Sequence, residues 1–230
     1  LQFISELHMA QTSQRRPAWL IIISLSIPMF MASLDNLVVT NALPVIRADL
    51  GATLEELTWT VNAYTLTFAS CILMSSALAD RFGRRSVFLL GVFIFTASSA
   101  WCGISDNIGA LITARTLQGI GGSAVMPLSL ALLSTSVPER LRATAIGIWG
   151  GVAGLGVALG PLIGGAVVEG MTWHAIFWIN VPFGLLCIPL VWFTIPESRG
   201  RPEPLDFPGL ALVGIGLFGI TYGIVRGNEA

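Results

Sequence analysis

The sequence predicts an all-α protein that crosses a membrane several times. Hydrophobic residues make up 54% of the 230 positions and charged ones only 11%, against the roughly one quarter that solvates a soluble domain. The apolar residues gather in blocks near the length of about 20 that a helix needs to cross the hydrocarbon core. Connections between the blocks are short and polar. In lipid every backbone amide must be paired internally, and the alternating pattern of a barrel strand is missing, so the blocks are read as helices.

Seven stretches qualify: Trp19–Thr40, Trp59–Leu78, Ser86–Ile104, Ile108–Leu133, Ala143–Val168, Ala175–Ile195 and a shorter Pro208–Val225. Turn formers such as Asp106-Asn107, Pro138-Glu139 and Pro196-Glu197-Ser198 separate them. The first block is long and six more follow, so it is read as a span and not a cleaved signal. Residues 1–8, ending in His8, read as neither helix nor signal, and Met9 is the expected native start.

Twelve Arg and no Lys face thirteen Asp and Glu, a net charge of −1, which leaves no basic face for nucleic acid. The arginines are placed unevenly. Arg15, Arg16, Arg81, Arg84, Arg85, Arg140, Arg142, Arg199 and Arg201 flank one end of the spans, and only Arg47 and Arg226 the other. Positive residues stay inside, so the N-terminus is expected in the cytoplasm, in the cytoplasmic (inner) membrane. Cys71, Cys102 and Cys187 are odd in number and lie in apolar blocks, which argues against a disulfide framework. No metal-ligand spacing and no catalytic set of nucleophile and base emerges, and His8 and His174 are the only histidines.

Two ionisable residues fall inside spans, Asp35 and Arg115. A charge at depth costs several kcal/mol unless paired or wetted, so each is a functional candidate. Counted from the outer ends of spans one and four, both lie roughly 8–11 Å below the same surface at 1.5 Å per residue. Asn62 and Gln118 fall in the same layer, and Asn36 adjoins Asp35, which suggests a polar cavity. Asp35 and Arg115 are either a structural ion pair or a titratable carboxylate governed by a nearby guanidinium. Burial and the neighbouring charge pull its proton affinity in opposite directions.

The segment Ala77-Leu78-Ala79-Asp80-Arg81-Phe82-Gly83-Arg84-Arg85 resembles the cytoplasmic signature between helices two and three of the major facilitator superfamily. Gly83 permits a tight reversal, and Asp80 is suited to accept amides at a helix N-terminus. The resemblance implies that this loop (Asp80, Arg81, Gly83, Arg84, Arg85) latches the two transporter halves together. Leu111-x-x-x-Arg115-x-x-Gln118-Gly119-x-Gly121 is similar to the helix-four motif implicated in proton coupling. Span five carries Gly150, Gly151, Gly154, Gly156 and then Gly160-Pro161-Leu162-Ile163-Gly164-Gly165, similar to the antiporter motif of exporters. Glycines spaced by four admit close helix contact, so the resemblance assigns Gly156, Gly160, Pro161, Gly164 and Gly165 to a seam between halves.

Asp35, Ala42, Leu43 and Pro44 match the helix-one signature of the fourteen-helix drug:proton antiporters, while Leu37 and Thr40 depart from it. Trp173 and Phe177 to Gly184 resemble that branch's helix six, with His174 where Arg is usual; His174 is read as interfacial. The resemblance implies a six-helix N-terminal half over 9–195 built from two three-helix repeats, a cytoplasmic linker at 196–207, and the start of a central helix pair at 208–230. It implies that seven more helices follow.

The function so implied is export of amphipathic, often cationic small molecules against inward-moving protons. Asp35 and Arg115 would couple the protons, and Asn36, Asn62 and Gln118 would line the substrate cavity. The partners expected are substrate, protons and the bilayer, with an accessory export subunit left open and no cofactor beyond the proton gradient. Two alternatives stand beside it: a symporter or metabolite exporter on the same fold, and a membrane-embedded enzyme. The second lacks a clustered set of reactive groups in the sequence.

Overall fold

The computed structural model describes residues 17–200 and 207–227. The expected remnant at 1–8, Arg15, Arg16, Arg201 and the rest of the linker at 201–206 lie outside them. Seven helices follow in chain order: α1 Ala18–Leu50, α2 Leu54–Phe82, α3 Arg84–Cys102, α4 Ile108–Ser136, α5 Glu139–Gly170, α6 Ala175–Thr194 and α7 Phe207–Gly227. α6 continues through Ile179, whose backbone stays helical at φ −56° and ψ −38°. Among the described residues there is no strand. The first six helices are long and apolar enough to cross a membrane, while α7 has a shorter apolar stretch, Ala211–Gly223.

Local signals explain most of the ends. Thr53 and Glu56 form a reciprocal cap at the start of α2, with the Thr53 amide donating to Glu56 Oε2 at 2.8 Å. Asn107 Oδ1 accepts the Ala110 amide at 2.8 Å and opens α4. The expected end of the first span, near Thr40, is too early. α1 continues through Pro44 and Arg47 to Leu50 and stops where Gly51 turns left-handed at φ 62°. Pro44 removes one helical donor, but Ala42 and Ile46 are fully buried, and that packing holds the extension. At 1.5 Å per residue, the 33 residues of α1 rise roughly 50 Å, well past the hydrocarbon thickness.

The helices pair reciprocally. α1 lies along α5 and touches α6, while α4 lies along both α2 and α3. The first helix of each three-helix set thus packs on the second and third helices of the other, the arrangement expected of inverted repeats. α7 lies against α2, where the Trp59 and Tyr222 rings are 5.9 Å apart.

Two large apolar cores result, beside a small cluster of Met31, Ala32, Tyr64 and Phe95. Leu25, Phe88, Val125, Leu132 and Val191 belong to one at the Gly83 end, and Val38, Ile46, Leu57, Leu111 and Phe177 to one at the Asp106 end. Between them α3 and α4 cross closely: a Cβ on Gly121 would stand 2.6 Å from the Phe95 amide nitrogen. That approach brings Ser99 and Gln118 within hydrogen-bonding distance.

Candidate functional site

Asp35 on α1, Ser99 on α3, Arg115 and Gln118 on α4, and Asn180 on α6 meet between the two apolar cores. None is more than 2% exposed. Asp35 Oδ2 accepts from Arg115 Nη1 at 2.5 Å, and Oδ1 accepts from Gln118 Nε2 at 2.9 Å and Asn180 Nδ2 at 2.7 Å. Arg115 Nη1 also donates to Gln118 Oε1 at 2.8 Å, and its Nε donates to the Thr60 carbonyl at 3.3 Å. The guanidinium lies 4.4 Å from the centre of the Tyr64 ring. Ser99 donates to the Phe177 carbonyl at 3.0 Å and accepts from Asn180 Nδ2 at 2.9 Å and Gln118 Nε2 at 3.3 Å.

Two opposite charges and a ring of oriented amides offset the desolvation that either ion alone would suffer. Chemically the site sets a guanidinium against a carboxylate.

The structure brings together three of the residues singled out from sequence, Asp35, Arg115 and Gln118. It leaves two outside the network. Asn36 and Asn62 are half-buried and make no hydrogen bond to Asp35, Arg115 or Gln118. Helical geometry explains both. Asn36 is one step of about 100° around α1 from Asp35. Thr60 and Tyr64, one turn apart, occupy the α2 face toward Arg115, and Asn62 lies on the other side. Ser99 and Asn180 were missed, although the depth count applied to spans three and six would have placed both in the same layer.

At the Gly83 end, the loop between α2 and α3 is clasped by the chain after α6. Gly83 has φ 117°, which L side chains rarely adopt, and a Cβ there would stand 2.6 Å from Glu197 Cδ. Glu197 Oε1 accepts the Arg85 amide at 2.9 Å, and Oε2 accepts the Ser86 amide at 3.1 Å and its hydroxyl at 2.5 Å. The Arg84 amide donates to the Ser198 carbonyl at 2.8 Å. Glu197 and Ser198 therefore cap α3, whose own N-cap, Gly83, has no side chain. Burial pushes the Glu197 carboxyl up, but its bonds to Ser86, Arg85 and Ser198 together outweigh that and hold it below its ordinary value.

Arg85 returns the contact. Its Nη1 donates to the carbonyls of Ile195 at 3.1 Å and Trp192 at 3.3 Å, at the C-terminus of α6, and its guanidinium lies 4.7 Å from the Trp192 ring centre. The Asp80 carboxylate bonds Arg84, Nη2 to Oδ1 at 2.7 Å. Within this chain the amides at the start of α3 thus go to Glu197 and Ser198, not to Asp80. Residues 196–200, read from sequence as turn and linker, are part of the clasp; the Gly200 amide donates to the Asp80 carbonyl at 3.0 Å. Arg81 is exposed.

The Major Facilitator Superfamily model matches residues 25–215. The chain belongs to that superfamily. It is 36% identical over 221 residues to the tetracenomycin C resistance and export protein of Streptomyces glaucescens, covering 95% of this chain and 41% of that protein. It is 37% identical to the methylenomycin A resistance protein of Bacillus subtilis, covering 91% and 45%, and 35% identical to a riboflavin transporter of Clostridioides difficile, covering 84% and 43%. This member of the superfamily thus spans less than half the length of these relatives. Its fold is similar to that of the human organic anion transporter MFSD10, with a TM-score of 0.68 at 18% identity over 86% of this chain and 53% of that one.

In this superfamily member the antiporter-like glycine string divides between two faces of α5. Gly156, Gly160 and Gly164 press on α1, where a Cβ would stand 2.9 Å from the Phe30 carbonyl oxygen, 2.7 Å from Leu37 Cβ and 3.2 Å from Asn41 Cβ. Gly150, Gly151, Gly154 and Gly165 meet nothing within 4 Å, and Pro161 is exposed. At 3.6 residues per turn these five share one side of the helix. Half of the string is therefore spent on packing within this chain.

Proposed function

We propose that the chain is the N-terminal part of a proton-driven exporter of amphipathic, often cationic small molecules, with its N-terminus in the cytoplasm. The observation that carries this reading is Asp35, a buried carboxylate held by groups from α4 and α6 between two apolar cores. Ionisable groups at such depth mark proton and ion pathways. The relative named for tetracenomycin C resistance and export supports the exporter class.

In this reading Asp35 takes up a proton from outside and releases it inside, and Arg115 governs the release. Gln118 serves the carboxylate, while Asn36 and Asn62, free of the network, line the substrate path. The loop from Asp80 to Arg85 latches this half to the other, and the open face of α5 with Pro161 and Gly165 forms the seam. The test is flux of a lipophilic cation such as ethidium in proteoliposomes of the full-length transporter. Uphill movement that stops when the pH gradient is collapsed is expected, and movement indifferent to the gradient would defeat the proposal.

A second reading, transport of a metabolite on the same fold, is favoured by the relative named as a riboflavin transporter. Riboflavin flux in the same liposomes, with ethidium excluded, would select it.

A further inference from the structure

The hydrogen bonds around Asp35 have a direction. A carbonyl can only accept, so the Ser99 hydroxyl commits its proton to Phe177. The lone pairs of Ser99 then face Asn180 and Gln118, and both amides must turn N–H groups toward them. The same two nitrogens reach Asp35 Oδ1. The whole set is oriented for an ionised Asp35, which accepts and cannot donate.

A proton on Oδ1 reverses that demand, because the carboxyl becomes a donor and needs an acceptor. Arg115 has none to offer. Gln118 Oε1 is held by Arg115 Nη1 at 2.8 Å, so turning that amide would aim N–H groups at a guanidinium. Asn180 carries no such tie: turning its amide brings Oδ1 to the place where Nδ2 now meets both Asp35 and Ser99.

We propose that Asn180 is a positioning residue for Asp35, whose amide turns when Asp35 is protonated and passes the event through Ser99 to the Phe177 carbonyl. This rests on Asp35 being the proton carrier. In the protonated state Asn180 Oδ1 accepts from the Asp35 carboxyl and from the Ser99 hydroxyl, which leaves Phe177. α6 then loses a tie to α3 at Phe177, within its first turn. α6 also ends in the Glu197 clasp, so the same helix joins the carboxylate to the loop at the Gly83 end. The titratable and charged groups facing Asp35 are Arg115 of α4, Tyr64 of α2 and Cys102 of α3. α6 faces it with Asn180, which is not ionisable.

The test reads the Phe177 carbonyl directly. Phe177-Trp178 is the one Phe-Trp pair in these 230 residues, so carbonyl-13C phenylalanine with 15N tryptophan labels it in the full-length transporter for solid-state NMR in lipid, and the signal that vanishes in Trp178→Phe is its own. An infrared carboxyl band that grows on acidification and is missing in Asp35→Asn reports the proton. In the wild type the Phe177 resonance should move upfield in step with that band, as its hydrogen bond is lost. In Asn180→Ala the carboxyl band should persist while Phe177 stays fixed. Asn180→Val, which also lacks the amide but keeps the Ser99–Phe177 bond, should likewise abolish the movement, and it carries the comparison if Asn180→Ala does not fold. A Phe177 signal that stays still in the wild type while Asp35 protonates, or still moves in the variants, overturns the inference alone. No Asp35-dependent band at any pH where the protein is folded removes the proton-carrier reading, and this inference with it.

Discussion

Glu197 and Arg85 cap each other's helices. The Glu197 carboxylate accepts the Arg85 amide at 2.9 Å at the start of α3, and the Arg85 side chain donates to the Ile195 carbonyl at 3.1 Å at the end of α6. Two antiparallel helices are thereby joined at their ends without a covalent link, and the loop carrying Gly83 takes its shape from that junction.

Replacing Glu197 with Ala should destabilise the protein by about 1–2 kcal/mol, the usual cost of losing a helix N-cap, read as a lower melting temperature in detergent. The effect should depend on pH with a definite sign. Because the folded carboxyl sits below its ordinary value, its contribution is complete above the unfolded pKa and is lost as pH falls through the folded one. Melting curves of wild type and Glu197→Gln should therefore converge on acidification. Curves that stay equally separated across the acid range would show that the carboxylate charge contributes nothing.

Asp35→Asn keeps the shape of the site and removes the charge. Gradient-driven export should be lost, while downhill exchange of substrate persists. Arg115→Ala leaves a buried carboxylate without its cation and should cost on the order of 3–5 kcal/mol. The double variant should recover part of that yield, because neither charge is then stranded. Equal yields for Arg115→Ala and the double variant would mean that the ion pair does not couple the two positions.

Orientation can be read by labelling with membrane-impermeant thiol reagents. Position 83 is a poor probe, since a side chain there would collide with Glu197. Arg81 and Asp106 are both exposed and lie at opposite ends of the bundle. Arg81→Cys should react from the cytoplasmic side only and Asp106→Cys from outside only. The reverse pattern would invert the assigned topology.

The two faces of α5 should respond differently to bulk. Gly160→Leu forces a side chain into Leu37 of α1 and should lower the yield of folded protein. Gly151→Leu, with nothing within 4 Å, should leave yield unchanged and impair transport through the seam with the other half. Full transport activity in folded Gly151→Leu protein would remove that face from the seam.

The helices, their number and the buried charges were legible in the sequence, because crossing lipid demands long apolar segments and punishes a lone charge. The encounter of Asp35 with Arg115 was foreseeable too, since two helices crossing one slab share a depth scale. Which neighbours complete the site depends on rotation about each helix axis, and that angle is set by packing. The close crossing of α3 and α4 at Gly121 is what brings Ser99 to Gln118, and Asn180 comes one turn along α6 from Ile176 and Phe177. Asn36 and Asn62 share the depth but face elsewhere. Glu197 lies over a hundred residues from the loop it caps, and no local pattern links the two. Its role exists only because α6 returns antiparallel beside α3 and brings a carboxylate to a helix start that has no cap of its own.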